Sequence, residues 1–204
     1  MPQIITAIEL QKKRKDRVNV YINEVYSFSL PLWAAGSLKK GDPITQSKIE
    51  ELKYLDNKDK AFQRAVSYLT VRPRSRKEIR QHLANKGFAH DSIQSAIERL
   101  EHYGYINDRE FARLWIETRR RQRPRGTFGL RYELHQKGIS EEIIEDALKG
   151  YDEPAAAWDA VAPRIEKWQK LPEMEIRRKI YHFLKQRGFS VEIIRDIYEQ
   201  AIQE

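Results

Sequence analysis

Cysteine is absent from this chain of 204 residues, and methionine occurs only twice. Without cysteine the chain can form neither disulfides nor thiolate metal sites, which is typical of a protein from a reducing cytosol. Long apolar runs are missing as well. A membrane span needs a stretch of about 18 apolar residues, and the sequence contains none. The apolar run near the N-terminus is too short for a signal peptide. We therefore expect a cytoplasmic protein without a membrane span.

Catalytic and cofactor motifs are also missing. The five histidines show no spacing of the HExxH type, and the sequence contains no glycine-rich phosphate loop and no serine nucleophile elbow. The sequence therefore offers no recognisable site for metal-assisted, nucleotide-hydrolysing or covalent catalysis. We predict that the chain is not an enzyme and that it uses no metal and no cofactor.

Positive charge is what the sequence has in excess. The 38 lysines and arginines exceed the 30 acidic residues, which gives a net charge of +8. Such a balance favours an anionic partner, and nucleic acid is the first candidate. The charge is concentrated in two basic runs, 72–80 and 119–126, whereas "EEIIED" at 141–146 is acidic. The surface is therefore predicted to be patterned rather than uniformly positive.

One short phrase occurs three times. It is "LANKGF" at 83–88, "LHQKGI" at 134–139 and "LKQRGF" at 184–189, with leucines 51 and 50 residues apart. Another apolar residue stands four positions before each leucine. An i, i+4 apolar stripe that ends in glycine is typical of a helix closed by a left-handed residue. We predict that the three leucines are equivalent buried positions and that each glycine has a positive φ.

Further helices are predicted on both sides of each phrase. Apolar residues at helical spacing precede the phrases at roughly 59–71, 108–122 and 154–170. A third helix follows each phrase, and the residues predicted to cap it are His90 or Asp91, Ser140 and Ser190. Each unit of about 50 residues has too little apolar area to be stable alone, so neighbouring units should stack.

The first 50 residues have a different pattern. "IITAIELQ" and "RVNVYINEVYSFSL" alternate and are rich in β-branched and aromatic residues, which predicts two or three short strands with a tight turn at "NE". "PLWAAGSL" and "TQSKIEELKYL" predict short helices. The fold class is thus mainly α, with three tandem three-helix repeats in an extended curved array and a small β-containing N-terminal extension. The predicted divisions are 1–56, 57–107, 108–150 and 151–204.

Several of these stretches carry a family resemblance. The chain resembles the RecX family of bacterial regulatory proteins, which modulate the RecA recombinase. The resemblance lies in "RPRSRKEIRQHLANKGF" (72–88), "LEHYGYINDREFARLWI" (100–116) and "RGTFGLRYELHQKGI" (125–139), and in a more degenerate third copy at 176–198. It implies an all-helical fold of three tandem three-helix repeats, with an N-terminal extension in some members. Pro163 departs from this pattern, since it should kink or split the first helix of the third repeat.

The resemblance also implies a function. A RecX protein would bind RecA filaments on DNA, lie along the filament groove and inhibit the recombinase, ATPase and coprotease activities of RecA in DNA repair and the SOS response. The expected partner is the RecA filament, with a weak phosphate-directed contact to DNA. We expect the chain itself to be a monomer.

The basic runs supply the predicted binding residues. Arginine prefers planar anions such as phosphates and carboxylates, which it can hold through two hydrogen bonds. The predicted residues are Arg72, Arg74, Arg76, Arg119, Arg120, Arg121, Arg123, Arg125 and Lys137. A basic run can also be a solvated helix end, since cations there interact favourably with the helix dipole.

An alternative function stays open at this point. The chain could be a sequence-tolerant DNA-binding protein of helix-turn-helix-like type that acts independently of RecA. The acidic "SEEIIEDAL" has the wrong charge for reading base edges, so any DNA contact should be directed at phosphates. Tryptophans could stack on bases, but Trp115 and Trp158 lie at helical spacing with other apolar residues and fit a core better. Asp108 is predicted to cap or precede a helix.

Overall fold

The computed structural model describes residues 2–168 and 170–203. Three residues lie outside the described ones: Met1, in the predicted extension 1–56, and Gln169 and Glu204, in the predicted third repeat 151–204. Chain contacts divide the molecule into a first unit, Met1–Arg72 with Ile79–Tyr105, and a second unit, Pro73–Glu78 with Ile106–Glu204. In the described part of the chain, no helix is both long and apolar enough to pass through a membrane.

Three strands and nine α-helices make up the described regular structure, together with one short 3-10 helix at Leu32–Ala35. The strands are β1 (Ile5–Leu10), β2 (Arg17–Ile22) and β3 (Val25–Pro31). The helices are α1 (Gln46–Leu69), α2 (Arg76–Ala84), α3 (His90–His102), α4 (Asp108–Gln122), α5 (Thr127–Gln136), α6 (Glu141–Leu148), α7 (Glu153–Trp168), α8 (Glu173–Lys185) and α9 (Val191–Gln203).

The strands form an antiparallel sheet in the order β1-β2-β3, which confirms the predicted β-containing extension. Asn23 and Glu24 link β2 to β3 with φ angles of 49° and 70°. Two successive positive φ angles match the twist of a tight hairpin, as predicted for "NE". Val20 and Leu30 are fully buried in the core that the sheet shares with α1.

Helix α1 is longer than the sequence suggested. Two separate helices were expected between residues 46 and 71, but a single helix of 24 residues covers most of this range. Arg17 of β2 is buried and forms ion pairs with Asp56 and Asp59, two buried carboxylates in the middle of α1. Because no glycine or proline interrupts this stretch, the helix continues through the predicted boundary at residues 56 and 57.

The helices α4–α6 and α7–α9 form two successive triplets, and α2 and α3 with the end of α1 form the first, as predicted. The glycines that follow α2, α5 and α8 have φ angles of +81°, +78° and +78°. The amide after each glycine donates to the carbonyl of the phrase leucine over 3.1–3.3 Å, which is the hydrogen bond of a Schellman cap. The leucines Leu83, Leu134 and Leu184 are all 0% exposed. The stripe and its cap are confirmed.

The caps of the third helices agree only in part with the prediction. Ser190 accepts a hydrogen bond on Oγ from the amide of Ile193, 3.2 Å away, as expected of an N-cap. Ser140 occupies the N-cap position without a side-chain hydrogen bond. In the first repeat the N-cap is Ala89, so the prediction of His90 or Asp91 is wrong. Asp91 lies in the first turn instead, where its negative charge interacts favourably with the positive end of the helix dipole.

Pro163 does not split its helix. Helix α7 continues from Glu153 to Trp168 with Pro163 inside it, so the expectation of a split is wrong. Proline removes one N–H from the helix, but Ala157, Val161 and Ile165 bury the opposite face in the core of the third triplet. That packing compensates for one missing hydrogen bond.

We expect Leu134→Ala to lower the free energy of unfolding by about 2–5 kcal/mol, because the side chain is fully buried and its removal leaves a cavity. Urea denaturation followed by circular dichroism measures the change. Leu114→Ala in α4 is the matched control, since Leu114 is 38% exposed. Equal losses in the two variants would show that the stripe does not carry the core.

Candidate anion-binding interface

A recurring joint occurs twice within the second unit. In its first copy, the hydroxyl of Ser75 donates to the backbone carbonyl of Lys137 over 2.7 Å. The amide of Arg76, at the start of α2, donates to Oδ1 of Asp108 over 2.9 Å. The predicted capping role of Asp108 is thus directed at α2, because α4 itself is capped by the side chain of Asn107.

The second copy uses equivalent positions. The amide of Gly126 donates to the backbone carbonyl of Arg187 over 3.1 Å, and the amide of Thr127 donates to Oε1 of Glu153 over 3.1 Å. In both joints the carbonyl acceptor stands one residue before the glycine of the phrase. The carboxylate is the first residue of α4 or α7 in both. The repeated phrase therefore caps its own helix. Its carbonyl before the glycine also accepts a hydrogen bond from the segment that leads into α2 or α5.

Glycine is required where the backbones meet in the second joint. A Cβ atom on Gly126 would overlap the carbonyl of Gly188, and a Cβ atom on Gly188 would overlap the backbone nitrogen of Gly129. Nearby, the hydroxyl of Tyr151 donates to the carbonyl of Arg125 over 2.7 Å. Burial raises the pKa of Tyr151 to about 12, so the hydroxyl remains a neutral donor at physiological pH.

Three predicted binding residues have internal partners. Glu133, whose side chain is 14% exposed, accepts on Oε2 from Nε1 of Trp115 at 2.9 Å and from Nε of Arg119 at 2.7 Å. Its other oxygen lies 2.6 Å from Nε of Arg125. The guanidinium of Arg119 and the ammonium of Lys137 lie 4.7 and 5.0 Å from the ring centre of Trp115. Arg119, Arg125 and Lys137 therefore hold the repeat together.

The other arginines of this run differ in exposure. Arg120 forms an ion pair with Asp159 of α7, and Arg121 pairs with Glu117 one turn before it. The side chain of Arg121 is 75% exposed. Arg123 is exposed beyond the end of α4, and no carboxylate of residues 2–168 and 170–203 lies within ion-pair distance of it. Arg121 and Arg123 are therefore accessible to an anionic partner, whereas Arg120 is half-buried.

The first basic run is divided between the two units. Arg72 belongs to the first unit, whereas Arg74 and Arg76 belong to the second. Arg72 and Arg74 are half-buried, and Arg76 is exposed. The acidic run in α6 is largely neutralised within the second unit, since Glu142 accepts from Arg109 over 2.6 Å and Glu141 pairs with Arg131.

Two functional candidates were missed by the sequence analysis. Arg164 and Arg187 line a groove of about 850 Å³ together with Arg120, Arg121 and Arg123. Arg187 stands one position before the phrase glycine, as Lys137 does, and this equivalence could have pointed to it. No comparable signal marks Arg164.

The tryptophans agree with the core interpretation. Trp115, Trp158 and Trp168 are half-buried against the hydrophobic clusters of the second unit, whereas Trp33 is exposed. Within the described residues, no group of histidine and carboxylate side chains is arranged to hold a metal ion.

Tandem three-helix triplets, joined through their glycine turns and preceded by a small antiparallel sheet, define the class: a helical repeat protein with an arginine-rich surface. Three family profiles match the chain: "Regulatory protein RecX N-terminal domain" over residues 3–45, "RecX, first three-helix domain" over 61–100 and "RecX, second three-helix domain" over 107–148. The chain belongs to the RecX family.

Relatives match nearly the whole chain. The regulatory protein RecX of Bacillus pumilus (strain SAFR-032) is 37% identical over 98% of this chain and 76% of its own length. That of Clostridium botulinum (strain Eklund 17B / Type B) is 33% identical over 97% of this chain and 96% of its own length.

Two solved structures have the same fold. A crystal structure of regulatory protein RecX superposes with a TM-score of 0.79, at 26% identity, and covers 99% of this chain and 100% of its own. The structure of RecX from Lactobacillus salivarius superposes with a TM-score of 0.65, at 26% identity, over 73% of this chain and 99% of its own.

We expect Gly188→Ala to destabilise the protein more than Gly87→Ala. Both glycines have nearly the same left-handed φ, so both substitutions cost about 1–2 kcal/mol in backbone strain. A methyl group on Gly188 also overlaps the backbone of Gly129, whereas nothing lies within 4 Å of one on Gly87. Overpacking should add roughly 1–3 kcal/mol for Gly188→Ala in a urea denaturation experiment. Equal losses of unfolding free energy in the two variants would show that the overlap with Gly129 is relieved without an energetic penalty.

Adjacent arginines should differ in the same kind of experiment. Arg119→Ala removes an ion pair with Glu133 and a cation–π contact with Trp115, so a loss of about 1–3 kcal/mol is expected. Arg121→Ala removes only an exposed pair and should cost less than about 0.5 kcal/mol. A larger loss for Arg121→Ala would contradict the division into structural and available arginines.

Proposed function

We propose that the chain binds RecA filaments assembled on DNA and inhibits the recombinase, ATPase and coprotease activities of RecA in DNA repair and the SOS response. Membership of the RecX family carries this proposal, since relatives named regulatory protein RecX match the chain over nearly its full length. The chain acts in the cytoplasm by binding rather than by catalysis.

Multivalency provides the physical basis for a preference for filaments. The repeats stand in a fixed order in one chain, and the two joints within the second unit use equivalent positions of the repeated sequence. A filament also presents the same protomer surface many times. After one repeat has bound, the next one meets its site at a high effective concentration, so a monomer suffices. Binding then favours the filament geometry that fits the repeats best.

We propose that the exposed part of the basic runs contacts the partner. Arg119, Arg125 and Lys137 are engaged with Glu133, Trp115 and other side chains of the second unit. These three side chains are also only 25–29% exposed, and exposure is the criterion here, since Arg120 and Arg121 form ion pairs too. The remaining predicted residues are Arg72, Arg74, Arg76, Arg120, Arg121 and Arg123, and of these Arg76, Arg121 and Arg123 are the exposed ones.

DNA binding that is independent of RecA is the alternative function. The exposed arginines favour phosphates, and ion pairs with Arg109 and Arg131 offset part of the negative charge of α6. Since this function needs no recombinase, RecA assays separate it from the first.

The test is a titration of the chain into RecA that hydrolyses ATP on single-stranded DNA. Wild type should lower the ATPase rate and strand exchange. Arg76→Ala with Arg121→Ala should require about tenfold more protein for the same inhibition, equivalent to about 1.4 kcal/mol of binding free energy. The matched control is Arg178→Ala with Arg195→Ala, which removes two exposed arginines from α8 and α9 and should inhibit like wild type. Circular dichroism checks the fold of each variant.

Two results would contradict the proposal in different ways. Wild-type protein that leaves every RecA activity unchanged, yet binds DNA tightly without RecA, would favour the alternative function. Full inhibition by the folded Arg76→Ala, Arg121→Ala variant would leave RecA regulation intact and exclude these arginines from the interface.

A further inference from the structure

The groove of about 850 Å³ lies between the end of α4 and the middle of α7, within the second unit. Five arginines from three segments of the chain line it: Arg120, Arg121, Arg123, Arg164 and Arg187. Among the described residues that line it, Asp159 is the one carboxylate. Such a concentration of one charge is expensive to assemble unless an anion compensates it.

Internal ion pairs neutralise only part of this charge. Asp159 is engaged by Arg120, and Arg121 pairs with an exposed glutamate that does not line the groove. Within the part of the chain that the structure describes, Arg123, Arg164 and Arg187 have no carboxylate within 4.0 Å. Arg164 donates to the backbone carbonyl of Ala160 over 3.5 Å, which does not neutralise its charge. The positive charges of these three guanidinium groups are therefore not cancelled by an ion pair.

Arg164 and Arg187 both contact the ring of Phe183. Their guanidinium carbons lie 4.4 and 4.1 Å from the ring centre of Phe183. The backbone of Arg187 is held by the second joint, since its carbonyl accepts from the amide of Gly126. Prior order of this kind lowers the entropy cost of binding.

The guanidinium of Arg187 is only partly compensated by other groups of the protein. Its Nε atom is buried and makes no hydrogen bond to any described residue. Burial lowers the pKa of Arg187, and the positive charges of Arg164, Arg125 and Arg123 lower it further. An anion in the groove would reverse the electrostatic part of this penalty.

The composition of the lining identifies the ligand class. Guanidinium forks match the oxygen geometry of phosphates and carboxylates, and three uncompensated arginines exceed what a single carboxylate requires. Beside the charged residues, the lining consists of Gln122, two prolines and two alanines, with no aromatic surface for a base to stack on. The groove therefore suits a chain of phosphates rather than a nucleobase.

We propose that this groove is a binding site for linked phosphate groups, with Arg123, Arg164 and Arg187 as the residues that contact them. The ligand chemistry has two sources, the phosphodiester backbone of single-stranded DNA and the phosphoanhydride chain of a nucleoside triphosphate. The site deepens the DNA contact of the proposed function, but its test uses the chain alone. A failure here is therefore distinguishable from a failure of RecA inhibition.

The experiment measures binding of the full chain to a labelled oligothymidylate of about 20 nucleotides by fluorescence anisotropy over a range of salt concentrations. Binding of inorganic tripolyphosphate and of ATP is measured in parallel by calorimetry. The test variant is Arg164→Gln with Arg187→Gln, and the matched control is Arg178→Gln with Arg195→Gln. For the oligonucleotide, the test variant should weaken binding about tenfold and flatten log K against log salt by roughly 1.4 units, from about 0.7 per phosphate contact. The control should behave like wild type.

Arg123→Gln is a second test variant, because Arg123 lies in a loop and its replacement leaves Phe183 and the joint intact. It should flatten the slope by roughly 0.7 units. Arginine-dependent binding of the oligonucleotide alone would identify DNA as the source, and arginine-dependent binding of tripolyphosphate and ATP alone would identify nucleotide. Wild-type slope and affinity in both folded test variants, for every phosphate ligand, would overturn the proposal. Tighter binding of polyglutamate than of any phosphate ligand would also overturn it.

Discussion

The contact between the glycine turn of one repeat and the second helix of the preceding repeat is the constraint on which the second unit depends. In the second joint backbone meets backbone directly, through the amide of Gly126 and the carbonyl of Arg187, so the third repeat packs on the second with no room for an added side-chain atom. Ser75 and Gly126 are small residues at equivalent places, and each of them reaches the carbonyl that precedes a phrase glycine. Any larger residue at Gly126 would separate the second repeat from the third.

The same joint organises the charge. Arg187 belongs to the turn that the joint holds. The arginines at the end of α4 line the same groove as residues of α7. The arginines of residues 119–125 look alike in the sequence, but in the fold they divide into a structural group and an accessible group. Those close to Glu133 and Trp115 stabilise the repeat, and those beyond the end of α4 remain open to an anion. Net charge alone could not separate these roles.

The features that the sequence predicted well are local ones. The apolar stripe around Leu134 and the left-handed Gly138 follow from the periodicity and capping of one helix, and α4 was predicted from Asp108 to Gln122 with the observed bounds. The features that it missed are long-range. Arg17 pairs with Asp56 and Asp59 across 39 and 42 positions of the chain, and no local pattern indicates such a partner. Arg164 and Arg187 likewise join the basic surface only through tertiary packing.

The buried pairs of Arg17 have a consequence for how this family can change over time. Each carboxylate on α1 is tolerated in the core because a guanidinium from β2 compensates it, and removal of that cation would leave buried negative charge behind. Lys60 and Arg99 reach the same aspartates only from partly exposed positions. While the sheet covers this face of α1, loss of Arg17 alone and retention of both aspartates would leave buried negative charge undercompensated. Position 17 of β2 and positions 56 and 59 of α1 are therefore expected to change together, although about 40 residues of chain separate them.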